Sequence, residues 1–299
     1  MKLLCATDLL PKSEPAIERA GFLSEALGAG LTVLHAVPPD SADGHPLEKR
    51  LRRSSARLAT RTAAPHWLWD SRAEVAVHCG RPARVVLDAA HRQDARLLIL
   101  GPHRADAFAD AVGGTITEKV LGAATCPVLI AQREMHGEYR HVLVALDGSP
   151  GSAQVLREAE ALGVASDSFA TVVHAHEPLY EGMMNTLGVG RESIVGYAAA
   201  SRDQALAHIK SIVAANSRDA RRYQVTVVER RPASAILRVV ESLKPDLVVL
   251  GTRGHGRFRR ALLGSVANEV LRTVRCDVLL VPERAGNITN NPAGLRKAG

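Results

Sequence analysis

Aromatic side chains are scarce in this chain, with Phe, Trp and Tyr together making up 3% of its 299 residues. Exposed bases are gripped largely by stacking on aromatic faces, so the net charge of +7 permits an anionic partner but leaves little with which to hold nucleic acid. Long apolar runs are missing too. No stretch approaches the roughly 18 residues a spanning helix needs, and Met1-Lys2-Leu3-Leu4-Cys5 lacks the apolar core and cleavage site of a signal peptide. The expected location is the cytoplasm. Only four cysteines occur, Cys5, Cys79, Cys126 and Cys276, without C-x-x-C pairing or zinc spacing. Each lies beside or within an apolar run, which predicts buried reduced thiols rather than disulfides or metal ligands.

What is present is a duplication. Lys2-Leu3-Leu4-Cys5-Ala6-Thr7-Asp8 returns 139 residues later as His141-Val142-Leu143-Val144-Ala145-Leu146-Asp147, and His35 falls on His174 at the same shift. Further along, "GRPARVVLDAAHRQDARLLILG" and "RRPASAILRVVESLKPDLVVLG" match at a shift of 150, so an 11-residue insertion lies between His174 and Arg231. A period this long marks duplicated domains rather than a solenoid. The expected division is 1–134 and 140–284, joined by the polar "REMHGEYR" and followed by a disordered tail, 285–299.

Within each copy, apolar runs alternate with helical stripes. Ala16, Ala20, Leu23 and Leu27 step by four, three and four, and Val155, Ala159 and Leu162 repeat the stripe. Runs such as Val142 to Leu146 are apolar throughout, as strands covered on both faces are. The alternation predicts an α/β fold, a parallel sheet with helices on both sides.

The stretch after the run Leu247 to Leu250, "GTRGHGRFRRALLGS", spends four of fifteen positions on glycine and four on arginine. It leaves the carboxyl end of a strand and enters a helix, which is where ligands sit in open parallel sheets. Bare backbone there comes close to a ligand, a helix start offers unpaired N–H groups, and arginines add charged donors. The ligand so described is a phosphate chain. Walker A and dinucleotide spacings do not match, but G-x2-G-x9-G-[ST] does, with Gly251, Gly254, Gly264 and Ser265.

On that spacing, with Asp147 at the end of the early strand and the closing "CDVLLVP", the chain resembles the universal stress protein family in its tandem two-domain form, over about residues 1–284. The resemblance implies two domains, each an open five-stranded parallel sheet with helices on both faces. It also implies ATP binding, with Mg²⁺ as the nucleotide's counterion, and a role as a stress-response sensor or regulator. Carried onto matching positions, Asp147 and Ala175 would meet the adenine. Gly251, Arg253 and Gly254 would follow the ribose and phosphates, and Gly264, Ser265 and Val266 would bind phosphate. Arg257 and Asn268 are added from reach and chemistry. A pseudo-dimer of the two halves through their last strands is also implied, and dimerisation of the whole chain stays open.

Plainer roles compete. Asp147 precedes Gly148-Ser149-Pro150 and suits a turn, Ser265 suits an N-cap, and the glycines suit tight turns. In the first copy Asp8, Gly101, Gly114 and Thr115 persist, but Arg104 replaces the glycine equivalent to Gly254, which predicts weak or no ATP binding there. The glycine loop holds no Asp or Glu, so hydrolysis is expected to be slow or absent. His174 and His176 share a strand face without a third ligand in view, which favours a structural role over a metal. The competing functional class is an ATP-independent protein contacting nucleic acid or anionic lipid through Arg50, Arg53, Arg57 and Arg61, a basic stripe if 47–61 is helical.

Overall fold

The computed structural model describes residues 1–39, 45–63, 73–102, 115–134, 137–162, 169–177, 191–252 and 263–283. The glycine-loop residues Arg253, Gly254 and Arg257, the first copy's Arg104 and the tail 285–299 lie outside the described residues.

Each half contributes five strands. The first supplies β1 (Lys2–Thr7), β2 (Gly30–Val37), β3 (Ala73–Cys79), β4 (Leu97–Leu100) and β5 (Val128–Ile130). The second supplies β6 (His141–Ala145), β7 (Phe169–Ala175), β8 (Tyr223–Val228), β9 (Leu247–Gly251) and β10 (Asp277–Val281). All ten form one sheet, in the order β3-β2-β1-β4-β5-β10-β9-β6-β7-β8. Pairing is parallel within each half and antiparallel where β5 meets β10. There Leu129 faces Leu279, while Val128–Leu280 and Ile130–Val278 flank it as two-fold-related pairs at the 150 shift. A pseudo-two-fold axis therefore passes through the two leucines.

The helices among the described residues are α1 (Glu14–Ala26), α2 (Leu47–Ala63), α3 (Pro82–Arg92), α4 (Ile116–Ala123), α5 (Pro150–Ala161), α6 (Arg191–Asn216), α7 (Pro232–Leu243) and α8 (Ser265–Thr273). Proline stands in the first turn of α1, α3, α5 and α7, where its missing N–H breaks no helical bond. The uninterrupted apolar strands are explained by two cores. Leu3, Cys5, Ile99, Val142 and Val144 pack under α1, α2, α5 and α6, whereas Leu4, Leu98, Leu143 and Val248 pack under α3, α4, α7 and α8. Each core is continuous across both halves, because the sheet is.

Two expectations change. The basic stripe does form a helix, α2, but much of its charge is spent on the fold. Arg50 is buried, donating to the carbonyls of Pro38 and Pro39 at 2.5 and 3.2 Å; Arg57 donates to Leu9 O at 3.2 Å; and Arg61 pairs with Glu14 at 2.7 Å. Of the four cysteines, Cys5 and Cys276 are buried and Cys126 half-buried, but Cys79 is exposed, since it ends β3 at the sheet's outer edge. Burial pushes the Cys5 thiol up to about 12 and Cys276 to about 11, so both stay protonated and unreactive near neutral pH. No helix of the described residues is long and apolar enough to cross a membrane.

Candidate functional site

In the second half the chain runs from β6 outward to β7 and β8, then returns to place β9 on the other side of β6. The carboxyl ends of β6 and β9 therefore flank the point where winding reverses, the crevice in which such sheets bind ligands. Asp147 stands just past β6. Its Oδ1 accepts from the N–H of Ser149 at 2.9 Å and from the buried Ser152 hydroxyl at 2.8 Å, so it fixes the turn into α5. Gly148 takes φ +78° within that turn. Asp8 does the same work in the first half, accepting from Leu10 N at 2.9 Å and Ser13 Oγ at 2.6 Å, with Leu9 at φ +60° in glycine's place. The turn-holding role suggested for Asp147 is thus realised twice.

Ala175 ends β7, half-buried, beside Val228 of β8. Its neighbour His174 donates its Nδ1–H to the carbonyl oxygen of Leu146 at 2.8 Å, as His35 does to Thr7 O at 2.8 Å. Burial first of all, and nearby His176 and His208 next, hold the His174 pKa below its ordinary value against the Leu146 bond and Asp147. Among the described residues no three His, Cys, Asp or Glu gather as metal ligands. The sequence reading missed the contribution of α6. His208 Nε2 lies 3.1 Å from Gly148 O, and Ser201 Oγ lies 3.1 Å from His176 Nε2, so this long helix leans on the crevice turn. Nothing in the residue pattern marks His208, because its partner is 60 positions away.

The glycine loop is closed at its base. After Gly251, the buried Thr252 donates its N–H to Val281 O at 2.9 Å, and its own carbonyl accepts from Gly264 N at 2.9 Å. Chain leaves and re-enters at one point, so Gly251, Gly264 and Ser265 are brought together beside the turn of Asp147's strand. In the first half the matching Gly101 has a packing reason to be glycine, since a Cβ there would lie 3.1 Å from Ser13 Cβ and 3.2 Å from its Cα.

The helix that follows differs between the halves. Thr115 caps α4 in a complete capping box: its hydroxyl accepts from Glu118 N at 3.2 Å, and Glu118 Oε2 accepts from Thr115 N at 3.0 Å. In the second half the N-cap is Gly264, no side chain caps α8, and its first turn holds no acid. Ser265 is not the cap but the first helical residue, and it is exposed. Val266 is half-buried against the second core. Asn268, which falls where the first half has Glu118, turns its Oδ1 to Arg272 Nε at 3.0 Å, along the helix rather than back over its start.

The model of the universal stress protein family matches residues 1–132 and again 138–282. The chain belongs to this family. It is a tandem universal stress protein, similar over 272 residues, at 25% identity, to universal stress protein Mb2028c of Mycobacterium bovis, with 84% of this chain and 86% of that one covered. A single-domain relative, universal stress protein A homolog 1 of Coxiella burnetii, is 31% identical over 147 residues, 48% of this chain and 96% of its own length. The crystal structure of a universal stress protein from Archaeoglobus fulgidus shares the fold, with TM-score 0.62 at 18% identity over 95% of this chain and 98% of that one.

Proposed function

We propose that this universal stress protein binds ATP, with Mg²⁺ as its counterion, in the second half only, and acts as a stress-response sensor or regulator. In this reading the first half is a scaffold. The observation that carries it is the contrast between the two helix starts. A helix amino terminus presents unpaired N–H groups and about half a positive charge, and it favours an anion. At α4 that place is filled by the chain's own Glu118 carboxylate, while α8 opens on Gly264, which has no side chain to cap it, and among the described residues no acid stands in its first turn. The backbone of Gly264, Ser265 and Val266 would hold the phosphates, and Gly254 would let the loop approach them, with Arg253 and Arg257 adding charge. Asp147 and Ala175 would border the adenine from the ends of β6 and β7, and Gly251 would lie along the ribose. Asn268 serves this site less directly, because its amide is engaged with Arg272.

Catalytic demands are slight. The loop from 251 to 265 has no carboxylate to hold a metal or position a water, so the bound nucleotide is a signal rather than a substrate, turned over slowly or not at all. Calorimetric titration of Mg-ATP into the full chain tests this. One ATP per chain is expected, lost in Gly254→Arg, which copies Arg104 of the first half. Two per chain would refute the division of labour, and none would refute nucleotide binding.

A further inference from the structure

Among the described residues four ion pairs cross the junction of the two halves: Arg133, just after β5, pairs with Asp246 at 3.5 Å, and three others join helices and strand starts. Arg19 of α1 reaches the Asp277 carboxylate that opens β10 at 3.3 Å; Arg96, just before β4, pairs with Glu158 of α5; and Arg272 of α8 donates to Glu118 of α4 at 2.8 Å. The first two are deeply set, with side-chain exposures of 6% and 1% for Arg19 and Asp277, and 27% and 7% for Arg96 and Glu158. Asp277 is bound from all sides: its Oδ1 accepts from the N–H groups of Gln132 and Arg133 at 2.8 and 3.2 Å, its Oδ2 from the Tyr139 hydroxyl at 2.8 Å. The guanidinium of Arg19 lies over the Tyr139 ring, 4.3 Å from its centroid, and donates to Gly137 O at 2.8 Å.

The pseudo-two-fold axis shows what these pairs are not. The duplication that relates the halves carries Arg19 onto Glu158, Arg96 onto Asp246, Asp277 onto Pro127, Glu118 onto Asn268 and Arg272 onto Gly122. A symmetric dimer interface would repeat each contact about the axis. Here neither deep pair is repeated with the same charges. The helix position facing the partner is a cation in the first half and an anion in the second, and the strand-start positions it meets are reversed to suit. Two first halves joined in this way would set Arg19 against Arg96 with only Pro127 beside it. Two second halves would set Glu158 against Asp246 and Asp277. Each mismatch would occur twice by symmetry and be largely shielded from water, where like charges are most costly.

We propose that this junction is a charge lock that makes each half select the other and refuse a second copy of itself. Its ligand is a family domain of opposite character: the first half accepts a partner with carboxylates at the positions of Glu158 and Asp277, and the second accepts one with arginines at the positions of Arg19 and Arg96. Without the lock, two nearly equivalent last-strand edges on one chain would join like to like and link chains together. The lock closes the chain on itself.

Exchanging the two helix residues tests it on the whole chain. Arg19→Glu with Glu158→Arg leaves composition and net charge unchanged. Inside the chain it sets a carboxylate at position 19 against Asp277 and a guanidinium at position 158 against Arg96, while making like-with-like pairing complementary. Light scattering after size exclusion is expected to show the mass per particle about doubling or more relative to the unchanged chain. Arg96→Glu with Glu158→Arg alters as many residues but keeps opposite charges within the chain, and is expected to match the unchanged chain. An exchange variant of unchanged mass and native circular dichroism overturns the proposal, as does equal association of both variants. If the exchange variant does not fold, Glu158→Arg alone carries the test: association above the unchanged chain, reversed by adding Arg96→Glu, supports the lock, and its absence sinks it.

Discussion

The two halves share a turn, a sheet order and a helix after the fourth strand, and they part at the first turn of that helix. In the first half Thr115 and Glu118 satisfy each other's N–H groups, so the start of α4 carries its own acceptors. In the second half the chain places Gly264 and Ser265 there, with Asn268 turned away to Arg272, so α8 begins without a side-chain cap. The lesson concerns duplicated domains generally. On the proposed reading, a copy is retired from binding without losing its fold when a side chain takes over hydrogen bonds a ligand would have made, and such a copy keeps its core and stays available as a packing partner. The junction shows a complementary difference, in which equivalent positions, Arg19 and Glu158 or Arg96 and Asp246, carry opposite charge.

The largest effect is expected where that asymmetry is buried. Asp277→Asn keeps the size of the side chain but leaves the Arg19 guanidinium without its counter-charge, and removing one partner of a buried pair costs about 3–5 kcal/mol. Urea unfolding should register a loss of that order; an effect near that of an exposed ion pair, below about 1 kcal/mol, would mean the pair is solvated in solution. Next comes the helix start. Asn268→Glu grafts the first half's carboxylate onto α8, placing like charge beside phosphate, and should weaken ATP binding by roughly three- to tenfold, from about 1 kcal/mol of helix-terminus electrostatics. Unchanged affinity by calorimetry would separate the phosphate site from this helix. The smallest effect is a matter of pH. Because the folded-state pKa of His174 lies below the ordinary 6.5, the unfolded chain takes up its proton first as pH falls, so this residue's contribution to stability is full above about 6.5 and is lost below it. Stability measured between pH 7 and 5 should therefore fall less steeply in His174→Gln than in the unchanged chain, and parallel slopes would show that the ring titrates alike folded and unfolded.

Much of this architecture was legible in the residues. Uninterrupted apolar runs and period-3.6 stripes give strands and helices directly, and the repeat at 139 and 150 gives two like domains. The capping box was legible too, because its members are three positions apart. Its counterpart was not: whether Ser265 caps α8 depends on where the helix begins, and it begins one residue earlier than in the first half, at Ser265 itself. The arginine stripe of α2 showed its spacing but not the carbonyls of Leu9, Pro38 and Pro39 beneath it. Arg19 and Asp277 stand 258 positions apart, and only the antiparallel junction of β5 with β10 brings them together. Sequence periodicity records which face of an element is apolar; it carries no record of which distant element will cover it.

That antiparallel junction also sets direction. The strands of the first half run opposite to those of the second, so the Asp8 turn and the Asp147 turn lie at opposite rims of one sheet. A nucleotide in the second crevice faces away from the first, and the route between them runs along the strands and through the two shared cores. On the proposed reading the molecule therefore has a liganded rim and a bare rim, a polarity that two identical domains on the same axis would lack.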